Sequence, residues 1–234
     1  MKRDNPQISI IIPTLNEAGS IQALLAHLKN NSNPKHLREI LVIDGGSRDA
    51  TPARAVEGGA VAVQSLRGRT VQMNHGAKVA SGDILYFLHA DTFPPEDFDL
   101  AILQAIENGH EAGCFRMRFD SESRFLRFFA WFTRFNHPMC RGGDQSLFVS
   151  RRLFKECGGF NEAYRIYEDN EFTSRLYKKC AFTVLPGQVT TSARRYRSQN
   201  PLLLQFHFGV MHFKNTLGAG PDSLHRYYSR NIAL

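Results

Sequence analysis

Apolar and polar positions along the chain fall into a repeating order. Ile8-Ser9-Ile10-Ile11-Ile12 is a nearly continuous apolar run stopped by Pro13, which predicts a strand buried on both faces. Ile21, Leu24, Leu25 and Leu28 follow at the three- and four-residue spacing of one helix face. Ile40-Leu41-Val42-Ile43 predicts a second strand that ends at Asp44, with Gly45-Gly46-Ser47 after it. Thr51-Pro52 predicts a helix start, Thr51 as N-cap and Pro52 at the first helical position. Strands are predicted again at 61–63, 84–88, 112–120 and 146–149, and helices at 70–80, 98–108 and 201–218. Continuously apolar strands alternating with helices predict an α/β fold: a mostly parallel sheet covered on both faces.

In such sheets ligands sit at the carboxyl ends of the strands. Polar groups occupy three of those ends here: Asn16 and Glu17 after the first strand, Asp44 after the second, His89 and Asp91 after the fourth. The turn PTLNEAGS has no G-x-G-x-x-G, which disfavours a dinucleotide site, and no G-x-x-x-x-G-K-[ST] occurs anywhere, which excludes a P-loop. Glu168-Asp169-Asn170-Glu171 precedes the apolar pair Phe172 and Leu176; acids at a helix start stabilise it by about 0.3–1 kcal/mol each, so the run has a structural reading as well.

Composition and charge add three points. The formal charge is +7, yet residues from Thr173 onward hold nine Lys/Arg against one acid, so the basicity belongs to the last quarter. That is a solvated basic face or a site for an anionic partner. Cys114, Cys140, Cys157 and Cys180 form no metal spacing, and free thiols in a reducing compartment are expected. MKRDNPQ lacks the apolar core of a signal peptide, and no apolar run reaches the ~18–20 residues of a membrane span, so a cytoplasmic protein is expected. Residues 123–135 interleave six aromatics with Arg124, Arg127 and Arg134; a core or inter-helix face is favoured there over a ligand surface.

Set in order, IIPTLNE, VIDGGSRDAT, QMNHGA…ASGD, HAD and GGF…YEDNEF resemble the family-2 glycosyltransferases of the GT-A fold, over about residues 8–197. HAD stands where that family carries D-x-D, a form similar to a small bacterial subgroup. The resemblance implies one GT-A (Rossmann-like) domain over 1–234. Its nucleotide-sugar-binding half spans about 8–120 and its acceptor half about 121–200, with a helical extension at 201–234. It implies inverting transfer from a UDP- or GDP-sugar to a hydroxyl acceptor with Mn²⁺ or Mg²⁺. Asp91 is the implied metal ligand; His89, standing in for the first Asp, is a second ligand or a partner of ribose or phosphate. Asp169 matches the base and Glu168 is the runner-up. Pro13, Thr14, Asn16, Glu17, Asp44, Arg67, Arg69, Asn74, Ala90, Asp144, Arg194 and Arg195 complete the implied donor site. Glu17 is also readable as a first-turn helix acid. A nucleotidyltransferase or a non-catalytic nucleotide-sugar-binding protein are the rival classes. No nucleic acid is implied as partner. The tail helix packs on the catalytic domain or a second copy, with contact to an anionic membrane carrying a lipid-linked acceptor as the other reading.

Overall fold

The computed structural model describes residues 5–232. Eight strands form one sheet in the order β3-β2-β1-β4-β7-β6-β8-β5. The first four, β1 (Ile8–Thr14), β2 (Leu37–Asp44), β3 (Val61–Gln64) and β4 (Ile84–Phe87), are all parallel. β7 (Leu147–Ser150) then runs antiparallel to both β4 and β6 (Ala112–Phe119). β8 (Thr183–Thr191) is parallel to β6, and the two-residue β5 (Thr92–Phe93) closes the far edge. The mostly parallel sheet with helices on both faces is therefore as expected.

Alternation along β1 divides the core. Ile8, Ile10 and Ile12 point to one face, where they meet Leu24, Leu25 and Leu28 of α1 (Ile21–Asn30) and Phe98 and Ile102 of α4 (Phe98–Glu107). Ile11 points to the other, packing with Met73 and Ala77 of α3 (Arg69–Val79) and Phe172 and Leu176 of α7 (Glu168–Lys179). These side chains are essentially inaccessible, and truncating one such Leu costs about 2–5 kcal/mol. β1 and β2 are thereby fixed from both sides, and their ends become rigid platforms.

Three local expectations need correction. Thr51 is not the N-cap of α2 (Thr51–Glu57) but its first residue. Asp49 does the capping, accepting from Thr51 N at 3.0 Å and Thr51 Oγ1 at 2.5 Å, and this frees the Thr51 oxygen to accept Glu17 N at 2.8 Å. The strands predicted above also omit β8; its Pro186-Gly187 is tolerated since the register with β6 jumps from Phe115↔Leu185 to Arg116↔Gln188, leaving the pair in a bulge.

The third correction concerns the aromatic segment, which does not form a core face. Its helix, α5 (Arg124–Trp131), buries only Leu126 and Ala130, and Thr133 continues that face. Phe128, Trp131, Phe132 and Phe135 are exposed. Beyond β8, α8 (Arg194–Ser198) leads to α9 (Pro201–Thr216) and α10 (Pro221–Asn231), two elements the apolar pattern gave only in part. Leu204 and Met211 of α9 pack with Ile166, Tyr167 and Tyr196, so the tail does sit on the catalytic domain. Among the described residues no helix is long and apolar enough to cross a membrane. All four cysteines are free.

Candidate active site

The carboxyl ends of β1 and β2 are laced together by backbone-directed side chains. Gln72, buried on α3, donates from Nε2 to Thr14 O at 2.8 Å and to Ile43 O at 2.7 Å. Asp44 Oδ2 accepts Gly46 N at 3.0 Å and Ser47 N at 2.9 Å, and Oδ1 accepts the Ser47 hydroxyl, folding the glycine loop back on itself. Asn16, at φ 56°, bridges the two loops: its N–H donates to Ser47 Oγ at 2.8 Å and its Oδ1 accepts Arg48 N at 2.9 Å. Pro13 and Thr14 pair in register with Ile43 and Asp44. Glu17 lies ahead of α1, not in its first turn; one carboxylate oxygen accepts Ser20 Oγ at 2.8 Å and the other lies 3.4 Å from Arg194.

A second group of charges gathers after β4. His89 Nδ1 lies 3.4 Å from Asp144 Oδ1. Asp144 stands in the short turn Gly143–Gln145, which Arg141 and Gln145 hold from beneath. Arg141, itself buried, donates to Cys114 Sγ at 2.9 Å, to Thr133 O at 2.8 Å and to Phe135 O; Gln145 donates to Phe115 O at 3.3 Å and accepts Gly142 N at 3.0 Å. A side chain at 143 would displace its neighbours. A Cβ there would lie 2.2 Å from Asp169 Oδ2 and 3.3 Å from His89 Cε1, so the Asp169 carboxylate and the His89 ring both close on this one backbone position. Asp169 is at the second residue of α7, where the helix dipole favours a negative charge. Its neighbour Glu168 is buried, with the Arg69 guanidinium 3.6 Å away.

The charge states follow from this crowding. Burial pushes the Glu168 carboxyl up, Asp169 adds to that, and Arg69 opposes it. For Asp91 burial again raises the pKa; His89 draws it down in part, and Asp144 and Glu17 push it up again. Burial and Arg69 work against a charged His89, yet the Asp144 contact and the Asp169 and Asp144 charges outweigh them and raise its pKa. Asp144 is the reverse: desolvation would raise it, and His89, Arg69 and Arg195 together hold it below the ordinary carboxylate range.

The chemistry available is therefore a half-buried carboxylate (Asp91), a histidine oriented by a carboxylate, a second carboxylate over an open glycine turn, and Arg194 at the rim. Two of the expected residues also bond to other partners, and a third is exposed. Asn74 spends its amide on Phe160 N and O at 3.0 and 2.9 Å and on Glu162, pinning the Gly158-Gly159 turn. Arg67 is exposed. The Arg195 guanidinium donates to Tyr228 OH and stacks over the Phe208 and Tyr228 rings, which ties it to the tail. Ala90 is buried behind the loop. Gln72 and Arg141 escaped the sequence reading because only the fold reveals that their partners are main-chain carbonyls.

The chain matches the sequence profile "Glycosyl transferase family 2" over residues 9–152. It belongs to that family. Among similar proteins, a PGL/p-HBAD biosynthesis glycosyltransferase of Mycobacterium bovis is 29% identical over 192 residues, covering 75% of this chain and 72% of that protein. Glycosyltransferase AglE of Haloferax volcanii is 33% identical over 100 residues, 40% of this chain, and the match spans only 33% of AglE. In fold, the family-2 chain resembles the mannosyltransferase PcManGT from Pyrobaculum calidifontis, solved with GDP-Man and Mn²⁺. The TM-score is 0.70 at 20% identity, over 96% of this chain and 70% of that one. This member of the family is accordingly a GT-A-fold transferase enzyme.

Proposed function

We propose that this glycosyltransferase moves a sugar from a UDP- or GDP-sugar to a hydroxyl acceptor, with inversion and with a divalent ion. The observation that carries the reading is the closing of Asp169 and His89 on Gly143, beside Asp91 at the end of β4. Asp169 is assigned as the base: it takes the proton from the acceptor hydroxyl as that oxygen bonds to the anomeric carbon. The bond from that carbon to the diphosphate oxygen breaks, and the nucleoside diphosphate leaves with the electron pair. Buried Glu168, neutralised in part by Arg69, is assigned to positioning the start of α7 rather than to proton transfer.

The side chains present fit Mn²⁺ or Mg²⁺. Among the described residues no set of three or more His, Cys, Asp or Glu could hold an ion unaided. That suits an ion that takes most of its oxygens from the diphosphate and water. Asp91 is assigned as the carboxylate ligand. His89, with Nδ1 turned to Asp144, would offer Nε2 to the ion on losing the proton that the neighbouring carboxylates favour, the arrangement of a metal-bound histidine braced by a carboxylate. When bound, such an ion offsets charge developing on the leaving diphosphate. Arg194 is assigned to a phosphate, since planar bidentate contacts favour Arg. Pro13, Thr14, Asn16, Glu17 and Asp44 are assigned to the nucleoside wall, largely through the loops they shape.

A thermal-shift panel of UDP- and GDP-sugars, each with and without Mn²⁺ or Mg²⁺, tests the reading. Stabilisation by at least one donor, and only with metal, is expected. A panel with no nucleotide response under either condition sinks the donor-site assignment.

A further inference from the structure

The outward face of α5 has no role in the site just described. Arg124, Arg127, Phe128 and Trp131 follow one another at helical spacing and are all exposed, with Phe128 at 57% and Trp131 at 45%. The aromatic surface continues past the helix end through Phe132 and Phe135. Ring centroids lie 5.1 Å apart for Phe128–Phe132, 5.3 Å for Trp131–Phe132 and 4.9 Å for Trp131–Phe135, so these four rings make one ridge in water. A soluble monomer gains nothing from such a patch, and exposed contiguous apolar surface marks a docking site. Along the ridge itself, from Arg124 to Arg141, there are four arginines and no acid, the nearest acid before it in the chain being Glu122. Arg141 is buried, leaving Arg124, Arg127 and Arg134 outside, the last of them 4.9 Å over the Trp131 ring.

We propose that this aromatic–arginine ridge docks the enzyme on an anionic bilayer surface. Trp and Phe rings settle at the headgroup level while arginines on long stems reach the phosphates, so both halves of the ridge are satisfied at once. A second copy of the chain fits less well. A two-fold contact through this face sets arginines against arginines with no acid between them. The ridge is also fastened to the catalytic turn, since Arg141 holds Thr133 O and Phe135 O on one side and begins the Gly143–Gln145 turn on the other. The surface differs from the tail helix to which the sequence pointed, and the proposal stands whether or not the donor assignment does.

Trp131 is the only tryptophan in the chain, which makes it a direct reporter. Phosphatidylcholine vesicles with and without phosphatidylglycerol are titrated into the full chain while its emission is followed. A blue shift, quenched by brominated acyl chains, is expected only with the anionic lipid and is suppressed by salt. Replacing Arg124, Arg127 and Arg134 by Gln should weaken binding about a hundredfold, roughly fivefold per arginine. Phe128→Ser with Phe132→Ser should abolish the shift with the circular dichroism unchanged. Vesicle binding with unshifted Trp131 emission, or binding lost only in Leu203→Ser with Phe206→Ser on α9, overturns the proposal. So do the absence of any vesicle binding, a preference for an acidic protein over the vesicles, and a dimer whose Trp131 is already blue-shifted.

Discussion

The two ends of the one parallel sheet treat carboxylates in opposite ways. At the amino end, Glu39 Oε1 accepts Ser9 Oγ at 2.7 Å, Ser81 N at 2.6 Å and Ser81 Oγ at 2.8 Å. Burial acts to raise its pKa, and these bonds outweigh it and hold the carboxyl low. At the carboxyl end, Asp91 makes no side-chain hydrogen bond among those the described residues form, and burial raises its pKa. Glu168 is raised as well. Asp44 is the instructive exception at that end, since the glycine loop satisfies it. The protein completes the bonds of Glu39 where the sheet begins, although Asp99 Oδ1 and Arg151 Nη2 are buried there with no partner among the described residues. Where the sheet ends, it leaves charge unsatisfied for a ligand to complete, at some expense to stability.

The largest effect should come from Asp169→Asn. Release of nucleoside diphosphate from the active donor, measured with acceptor, should fall about 10²–10⁴-fold, while the donor-induced thermal shift persists. Unchanged turnover would remove Asp169 from the base role. Gly143→Ala comes next. Its methyl enters the 2.2 Å gap to Asp169 Oδ2, and a displacement of the base near an ångström should lower kcat about 10²-fold with KM for the donor little altered. A variant with normal kcat would show that the tight approach is incidental.

How legible this site was depended on which bonds each residue makes. Asp44, His89, Asp91 and Asp169 were legible as polar groups at strand ends and a helix start, because apolar runs that stop at a carboxylate mark those positions even without a structure. For Asn74 a family-like segment pointed to the donor, and the fold adds a contact the sequence does not show, with Phe160 N and O, 86 residues away. Gln72 was hidden in the same way, its carbonyl partners lying 58 and 29 residues off, whereas Arg141 turns back on carbonyls only 8 and 6 residues earlier, a loop that no periodicity marks. The aromatic helix failed for a different reason. Periodicity identifies that a face is apolar but not whether the fold covers it, and here Leu126, Ala130 and Thr133 take the inner positions. β8 was omitted as well, and there a bulge lets Pro186 and Gly187 sit in a strand.

At the amino end, substitutions should act on stability and leave chemistry alone. An added Cβ at Gly82 meets Ser9 Oγ at 2.6 Å and Gln7 O and Ser9 N at 2.8 Å. Gly82→Ala should therefore cost ~1–3 kcal/mol, about 3–10 °C in Tm, with kcat within twofold of the parent. A loss of kcat matching that of Gly143→Ala would erase the contrast between the two ends.

The smallest effects should have opposite signs at the two ends. Because the Glu39 pKa in the folded chain lies below its ordinary value of 4.5, the folded state holds that proton less tightly than the unfolded chain does. Its stabilisation is then present above pH 4.5 and disappears as pH falls through the lowered folded value. Glu39→Gln should lower Tm at pH 7, by no more than about 2 °C for a group still partly open to solvent, and the difference from the parent should vanish in acid. Asp91 is raised, so its charged form opposes folding, and Asp91→Asn should leave Tm unchanged or higher at pH 7 in metal-free buffer without nucleotide. Differential scanning calorimetry of both variants across pH 3–8 (about the range in which carboxylates titrate) decides the matter. If Asp91→Asn destabilised the free protein as Glu39→Gln does, Asp91 would be a structural carboxylate like Glu39, and the end of β4 would lose its claim to the ligand.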